Sequence, residues 1–423
     1  MRASRGRRGD TATLLAALGA AAALLAGGCA GSLPYTADGE ITVAGAKDTS
    51  GNLNKLIDVW NAAHPDKKAR YVELAAESGL QRQQVMQNFL AHSPTYDAVI
   101  TDDTWTTEFA DKGWLAPLPA DDFPPHEYFP AAVDAGTVGG TLYAAPYIAS
   151  PVVLFYRDDL VARPPRTWSE LIGDCAIAAA HQMGCYAGQF ASYEGLTVNV
   201  TSAIRSAGGD ILSVDGTRAV VDTPQARHGL EFLVNGFRQG YIPKEAITYQ
   251  EEEGRRAFQR GSLLFLSNYS YVYARANTPG PDTAIAGKAA VAPIPGLDNP
   301  GVTSVGGHMM AVSAFSRHRQ DTIEFVRYFT GEDNERQLLL KQSVAPVWRK
   351  LYDDPDLIKR FPFLPTLKES LERGRARPKT ANYSALSLAV QTAAYAALQG
   401  AVSVDAALAA MSDQIDSALD GDR

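Results

Sequence analysis

The sequence predicts an α/β protein of two domains, and three observations carry this prediction. The chain has 423 residues, which is more than one simple hydrophobic core usually organises. Its composition, with 46% hydrophobic and 20% charged residues, is typical of a soluble globular protein. Short apolar runs alternate with helical patterns after the amino-terminal segment, and this order predicts a parallel sheet whose strands are joined by helices.

The charge of the chain argues against a nucleic-acid partner. The formal net charge is −8, and beyond residue 28 it is −11, because 35 basic residues face 46 acidic ones. A protein that binds nucleic acid needs a basic face that can neutralise phosphates. We therefore expect a ligand of another class.

Residues 1–28 have the pattern of an export signal. Four arginines precede an Ala/Leu-rich stretch over 11–25, which is shorter than the roughly 20 residues of a membrane-spanning helix. Small residues then lead to Cys29 in a pattern that resembles the bacterial lipobox. That resemblance implies cleavage before Cys29 and a lipid on its sulfur, and an ordinary cleaved signal is the alternative. Residues 29–39 are small and polar and predict a tether.

The first strands and helices follow the tether. Apolar runs at 40–44, 69–74 and 98–100 predict three strands, and helical spacing over 53–60 and 79–92 predicts the helices between them. In an open α/β sheet, ligands bind beyond the carboxyl ends of the strands. The residues that follow each strand are therefore the first candidates for a site.

Carboxylates and aromatic rings stand at those positions. Asp48 follows the first strand and Asp102 follows the third, so both should face one crevice. Thr104 is predicted to cap a helix that carries Trp105 and Trp114. A carboxylate that accepts hydroxyl hydrogens, beside a ring that covers an apolar sugar face, suits a carbohydrate. The alternative is a solvated Asp48, with Asp102 as a helix cap and both tryptophans in the core.

The same stretch carries a resemblance to a known family. Asp102-x-x-Trp105, then Phe109-Ala110, then Gly113-Trp-Leu-x-Pro-Leu resemble the extracellular solute-binding proteins that serve sugar ABC importers. Within that family, the chain is most similar to the trehalose- and maltose-binding lipoproteins of actinobacteria. The resemblance spans about residues 40–400. It implies a two-lobed fold of the periplasmic-binding-protein type, in which each lobe is a twisted, mostly parallel sheet flanked by helices.

The resemblance also implies that the chain crosses between the lobes three times. We expect these crossings near Ser150, over 278–281 and over 341–346. They give a first lobe of 40–148 with 284–340, and a second lobe of 149–283 with 341–423.

Five candidate ligand contacts lie between residues 193 and 269 of the expected second lobe. Tyr193 and Glu194 stand where the family keeps ligand contacts, and Glu251 opens a helix within a family landmark. Asn268 and Tyr269 follow the carboxyl end of a strand, and the resemblance makes Tyr269 an aromatic platform. Simpler roles remain open: a surface turn for the first pair, helix-dipole compensation for Glu251, and packing for Tyr269.

Three further candidates complete the expected site. Ser150 lies at the first crossing, and Gly307 follows Gly306 in a pair that would let backbone amides approach a ligand closely. Arg377 lies in Arg-x-Arg-Pro-x-Thr-x-x-Tyr, a family signature in which that arginine reaches the sugar with its fork of donors. A solvated or carboxylate-paired Arg377 is the alternative. Ser150 and Tyr269 replace the asparagine and tryptophan expected of a trehalose binder.

The remaining cysteines and histidines predict no metal and no cofactor. With Cys29 assigned to lipid, Cys175 and Cys185 form an even pair around a short loop, and an export compartment favours a disulfide over two free thiols. His308 has no partner at metal-ligand spacing.

These observations imply a monomeric substrate-binding lipoprotein on the outer face of the cell membrane. It would capture a di- or oligosaccharide, such as trehalose or maltose, by hinge closure and deliver it to a membrane permease driven by an ATPase. Two other classes stay open: a binder of another small solute, and a secreted glycoside hydrolase. The hydrolase would need two facing carboxylates, for instance Asp102 with Glu251 or Glu194. The sequence has no nucleophile elbow, zinc-protease motif or phosphate loop, so we expect no enzyme.

Overall fold

The computed structural model describes residues 40–47, 52–75 and 78–420, and these residues form two main sheets with helices packed against both. The strands are β1 (Ile41–Gly45), β2 (Ala69–Glu73), β3 (Ala98–Asp102), β4 (Thr137–Val138), β5 (Thr141–Leu142), β6 (Ala144–Ser150), β7 (Val153–Arg157), β8 (Gly184–Ala187), β9 (Leu263–Asn268), β10 (Ala289–Ala292), β11 (Ser304–Val312) and β12 (Arg375–Ala376). The helices are α1 (Asn52–Ala63), α2 (Ser78–Leu90), α3 (Thr106–Asp111), α4 (Pro130–Gly136), α5 (Trp168–Ala180), α6 (Glu194–Ser206), α7 (Pro224–Gln239), α8 (Glu251–Gln259), α9 (Val272–Asn277), α10 (Arg319–Phe329), α11 (Glu332–Gln342), α12 (Pro355–Arg360), α13 (Leu364–Arg373), α14 (Tyr383–Leu398) and α15 (Val404–Asp420).

The first sheet has the order β12-β11-β3-β1-β2. β1 runs parallel to both β2 and β3, which confirms the predicted unit of three strands joined by two helices. β11 lies antiparallel to β3, and β6 pairs with the other edge of β11. The five residues of β1 are all buried, as an apolar run inside a parallel sheet requires.

The second sheet has the order β10-β7-β9-β8 and is mixed. β7 runs antiparallel to both β10 and β9, and β8 runs parallel to β9. This sheet is therefore not mostly parallel as expected.

The crossings between the sheets are partly where the sequence predicts them. The chain leaves the first sheet directly after Ser150, as expected. The return is later than expected, because β10 still pairs with β7 and the next strand of the first sheet begins at Ser304. The expected crossing at 278–281 and the lobe boundary at 284 are therefore wrong. The return lies between Ala292 and Ser304.

The segment after α11 touches both lobes. The Ala345 carbonyl accepts a hydrogen bond from the Ala149 N–H at 3.2 Å. The Ser343 carbonyl accepts one from the Ser270 hydroxyl at 2.9 Å. These contacts support the crossing expected over 341–346. Residues 375–376 were expected in the second lobe, but as β12 they pair with the first sheet.

Two local predictions in the second lobe are confirmed. α5 begins with the predicted capping box, in which Thr167 accepts from the Glu170 N–H and the Glu170 carboxylate accepts from the Thr167 N–H. The disulfide joins Cys175 of α5 to Cys185 of β8 across a separation of 10 residues. On the chain-entropy model, closing so short a loop stabilises the folded protein by roughly 2–3 kcal/mol.

Within the described ranges, no helix is long and apolar enough to span a bilayer.

Candidate functional site

The site forms where two strands of the first sheet meet end to end. β12 pairs with Ser304 and Val305 of β11, and β3 pairs with the part of β11 that begins at His308. Since β3 is antiparallel to β11 and β12 is parallel to it, their carboxyl ends point toward each other. Asp102 and Asp103 at the end of β3 therefore face Arg377, the residue that follows β12.

Asp102 caps the turn that follows β3. Its Oδ1 accepts from the Thr104 N–H at 3.1 Å and from the Thr104 hydroxyl at 2.7 Å. The predicted cap at Thr104 is therefore wrong, and the alternative reading of Asp102 as a cap is correct. Trp105 ends a 3₁₀ turn, and Trp114 lies beyond the end of α3 at Asp111, so neither tryptophan is on the predicted helix.

Arg377 binds carboxylates from both lobes. Its side chain is only 7% exposed. Nη2 donates to Asp102 Oδ1 at 2.7 Å, and Nη1 donates to Glu194 Oε1 at 3.0 Å. Nε donates to Asp103 Oδ2 at 3.4 Å, and Nη2 also donates to Asp103 Oδ1. Most of the five guanidinium donors are thus engaged. The alternative of a carboxylate-paired arginine is the arrangement that the structure contains.

Glu194, the first residue of α6, is fixed by α14. The Tyr383 hydroxyl donates to Glu194 Oε1 at 2.5 Å, and the Ser387 hydroxyl donates to Glu194 Oε2 at 2.6 Å. Tyr383 and Ser387 are four residues apart on α14 and so lie on one face of that helix. The ion-pair cluster of Asp102, Asp103, Glu194 and Arg377 therefore joins β3, β12, α6 and α14.

The two aspartates of the cluster titrate differently. Burial raises the pKa of Asp103 to about 7, and the negative charge of Asp102 adds to the effect, although Arg377 opposes it. Burial also acts on Asp102, but Arg377 and the Thr104 hydrogen bonds hold its pKa below the ordinary value. His308, which pairs with Asp102 across β11 and β3, is exposed. The two carboxyl groups thus behave as a pair that does not readily hold two negative charges.

Among the ligand contacts predicted in the second lobe, Asn268 is buried, whereas Glu251 and Tyr269 are partly exposed. Asn268 is fully buried, its amide donates to the Glu251 carbonyl at 3.0 Å, and its oxygen accepts from the Tyr269 N–H at 2.8 Å. Asn268 thus joins β9 to α8 through hydrogen bonds within the protein. Tyr269 is partly exposed and packs against Val152, and its pKa is raised by burial and by the charge of Glu251. Glu251 and Tyr269 therefore lie side by side, and the charges of Arg377, Glu194 and Asp102 in the ion-pair cluster also act on Tyr269.

Tyr193 lies next to Glu251 and Tyr269. Burial and the charge of Glu251 raise the pKa of Tyr193. Its ring folds over Gly195, where a side chain would overlap the phenol oxygen. Tyr193 precedes α6, which begins at Glu194, so the surface-turn alternative is replaced by a helix start.

The two glycines of β11 serve close packing. A Cβ on Gly306 would lie 3.1 Å from Arg377 Nη2, so this glycine leaves room for the guanidinium. A Cβ on Gly307 would overlap the Ile148 carbonyl oxygen of β6. The Gly307 N–H donates to Asp103 Oδ1 at 3.2 Å, so Gly307 does not present the donor expected for a ligand. Ser150 is partly buried and pairs with Gly306.

A cavity of about 370 Å³ opens beside Asp102 on the first lobe. Its lining joins polar side chains to an aromatic face: Lys47, Tyr71, Gln81, Trp105, Tyr147 and His308. Trp105 is 6% exposed and packs in the core on its other side, so the cavity reaches one part of the ring. Such a cavity can hold a small polar ligand with one apolar face.

A larger cavity of about 960 Å³ lies on the other side of the cluster. It is bordered by α4, by the turn that includes Asp215 and by the segment from Arg375 to Lys379. Arg377 lines this cavity and Asp102 lines the smaller one, so their ion pair stands between the two.

Three residues of the site are not among those that the sequence predicts. Asp103 has a visible signal, as a second carboxylate directly after β3. Ser387 and Gln81 have no signal, because only the fold brings them to the site. The predicted contact Asp48 and the predicted lipidation site Cys29 lie outside the described residues.

The chemistry of the site is that of binding polar groups. Within the described ranges, no cluster of histidine, cysteine and carboxylate side chains has a metal-binding arrangement. Carboxylates, tyrosines and one arginine can together accept from and donate to hydroxyl groups.

Comparisons with known proteins assign the chain to a protein family. A model of the family described as bacterial extracellular solute-binding protein matches residues 46–336. A probable ABC transporter-binding protein of Deinococcus radiodurans is 30% identical over 382 residues, which cover 85% of this chain and 89% of that protein. A maltotriose-binding protein of Pyrococcus abyssi is 25% identical over 355 residues, which cover 81% of this chain and 73% of that protein.

Solved structures agree with this placement. The maltose-bound MalE3 protein of T. maritima has a TM-score of 0.79 at 27% identity, over 89% of this chain and 99% of that one. A cyclic alpha-maltosyl-1,6-maltose binding protein of Arthrobacter globiformis shares the fold, with a TM-score of 0.76 at 24% identity over 91% of this chain and 100% of that one. The two-lobed α/β prediction is confirmed, and the chain belongs to the family of bacterial extracellular solute-binding proteins.

Proposed function

We propose that this protein captures a neutral di- or oligosaccharide between its two lobes and delivers it to an ABC importer. The observation that carries the proposal is the ion-pair cluster, in which Arg377 holds Asp102 of the first lobe and Glu194 of the second. A ligand that touches this cluster touches both lobes at once, and that is the requirement for closure around a ligand.

The donor and acceptor set favours a sugar. Sugar hydroxyls need acceptors as well as donors, and Asp102, Glu194 and Glu251 supply carboxylate oxygens. Tyr269 supplies a ring face for the apolar side of a pyranose, and the part of the Trp105 ring that the cavity reaches adds apolar surface. A buried hydroxyl that finds no partner costs roughly 1–3 kcal/mol, so this set of partners would select among sugars.

The charge balance favours a neutral ligand. Asp102, Asp103 and Glu194 are three carboxyl groups bound to the single guanidinium of Arg377, and Glu251 lies beside Tyr269 nearby. A phosphate or carboxylate on the sugar would meet repulsion from these carboxylates. Maltose-like sugars are favoured over trehalose, because one relative named above was solved with maltose bound and another is a maltotriose-binding protein.

The same proposal covers location and partners. A lipid on Cys29 would anchor the protein to the outer face of the membrane, where a permease and its ATPase would receive the sugar. We expect a monomer. Incorporation of labelled palmitate that is lost in Cys29→Ser tests the anchor, and equal labelling of both proteins would contradict it.

We also propose that the protein does not hydrolyse its ligand. Asp102 and Glu194 both accept from Arg377, and Asp103 accepts from Arg377 and from the Gly307 N–H, so the carboxyl groups of the cluster are engaged within the protein. Glycoside hydrolysis needs one carboxyl group held in the acid form beside the leaving oxygen. This arrangement suits retention of an intact sugar.

Titration calorimetry against a panel of maltose, maltotriose, trehalose and mannitol tests the function. We expect saturable binding of at least one maltose-type sugar. The Asp102→Ala variant should weaken that binding about 10- to 100-fold, because it removes an acceptor and the partner of Arg377. Asp122→Ala is the matched control, since Asp122 forms an exposed ion pair with Arg327. Equal affinity in the wild type and Asp102→Ala would contradict the site.

A further inference from the structure

Asp103 is a buried carboxyl group directly after β3. It is 6% exposed and follows directly on Asp102. Its Oδ1 accepts from the Gly307 N–H at 3.2 Å, and both of its oxygens accept from Arg377. Asp103 therefore ties the guanidinium to the backbone of β11.

This tie decides where the guanidinium points. Asp103 is bound by Nε and Nη2, along one edge of the guanidinium. Nη1 is left directed toward Glu194 in the second lobe. Gly306 leaves room for the plane of the group, since a Cβ there would lie 3.1–3.2 Å from three of its atoms. A two-point contact of this kind restrains the guanidinium plane as well as its position.

We propose that Asp103 is the positioning residue of the cleft: it fixes Arg377 between the lobes, and its protonation makes sugar affinity depend on pH. The inference rests on the proposed function, because it describes the regulation of the same site. Asp103 acts through Arg377 and does not touch the sugar.

The groups that face Asp103 come from every neighbouring element. Asp102 on β3 and Arg377 after β12 act on Asp103 directly. Around these two lie His308 on β11, Glu194 on α6 and Tyr383 on α14. Burial raises the pKa of Asp103 to about 7, whereas Arg377 holds the pKa of Asp102 low. Asp103 is therefore the carboxyl group of the pair that gains a proton first as the pH falls.

The direction of the pH effect follows from this order. Above pH 7 the ionised Asp103 holds Arg377, and the cleft binds sugar best. Below pH 7 the protonated carboxyl releases one edge of the guanidinium, and affinity falls. If binding lowers the pKa of Asp103 by half to one unit, affinity falls about 2.5-fold to fivefold between pH 8 and pH 6. Protons are then released when sugar binds near pH 7.

Calorimetry of the full chain with maltose between pH 5.5 and 8.5 tests this proposal. Titrations in two buffers of different ionisation enthalpy measure the protons released. The wild type should show the affinity change near pH 7 and proton release. Asp103→Asn should show neither, because the amide keeps an acceptor for the Gly307 N–H but does not titrate. A flat profile in the wild type, or an unchanged profile in Asp103→Asn, would overturn the proposal.

Two variants separate Asp103 from other titrating groups. His308→Gln should keep the change near pH 7 whatever its affinity, and loss of the change there would assign it to His308 and overturn the proposal. Asp122→Asn removes an exposed carboxylate of the same lobe and should keep the profile.

Thermal unfolding without sugar distinguishes failure of this inference from failure of the proposed function. The folded pKa of Asp103 lies above its unfolded value, so the wild type should lose stability relative to Asp103→Asn as pH rises from about 4 to 7. If this difference is present but neither maltose nor the rest of the panel binds, the proposed function fails and the titration of Asp103 stands. If maltose binds but the difference is absent, the inference fails alone.

Discussion

The Arg377→Met substitution is expected to produce the largest loss of both stability and sugar binding. Methionine keeps much of the side-chain volume but supplies no charge and no N–H donor. Asp102, Asp103 and Glu194 would then lie together without a cation. Removing one partner of a buried ion pair typically costs about 3–5 kcal/mol in the free energy of unfolding. Sugar affinity should fall about 30- to 1,000-fold, which corresponds to 2–4 kcal/mol.

Denaturant unfolding at pH 8 and pH 5 measures the stability part of this expectation. Since Asp103 has a raised pKa, it gains a proton at pH 5, and the repulsion in Arg377→Met should be smaller there. The matched control is Arg157→Met, because Arg157 is also buried and binds Asp159 through two hydrogen bonds of 2.7 Å. Arg157→Met should lose stability and keep sugar affinity. Loss of affinity in both variants would show that general destabilisation causes it.

Gly307→Ala is expected to cause the second large effect. The new Cβ would overlap the Ile148 carbonyl oxygen, which belongs to the backbone of β6 and cannot rotate away. β6 and β11 must separate locally, and the Gly307 N–H would then leave Asp103. We expect a loss of about 4 kcal/mol or more in the free energy of unfolding, at the upper end for single substitutions.

Gly173→Ala is the matched control for this substitution. Gly173 lies within α5, and a Cβ there would meet no atom within 4 Å. Alanine in a helix is favoured over glycine by roughly 0.5–1 kcal/mol, so this variant should gain stability. Chemical denaturation of both variants under one condition checks whether the free energy of unfolding falls in Gly307→Ala and rises in Gly173→Ala. A Gly307→Ala protein as stable as the wild type would contradict the close approach of β6 and β11.

The sequence predicts the strands and helices of the first lobe well, because their patterns are local. β1, α1, β2, α2 and β3 lie within a few residues of their expected ranges. The capping box at Thr167 is equally local, since both partners lie within one helical turn. Pattern and propensity act over short distances, and here the fold does not override them.

The sequence predicts the strand pairing less well. β10 was expected to return the chain to the first lobe, yet it pairs with β7 of the second. β12 has only two residues and shows no strand pattern, yet it places Arg377 against Asp102. Pairing partners depend on contacts between distant parts of the chain, and those contacts leave no period in the sequence.

The candidate site shows the same division. Asp102 and Arg377 could be selected individually, but the sequence did not indicate that they bind each other. Asn268 and Gly307 were expected to face a ligand, and the structure directs their polar atoms to Glu251, Tyr269 and Asp103. A polar residue at the end of a strand can serve packing or binding, and only its partners decide which.

A crystal structure with maltose, or with the panel sugar that binds best, tests the central claim most directly. The account predicts an intact sugar between the lobes, with hydroxyl groups near Asp102 and Glu194 and a ring face against Trp105 or Tyr269. A cleaved sugar, or a sugar bound away from Arg377 and contacting one lobe alone, would contradict it.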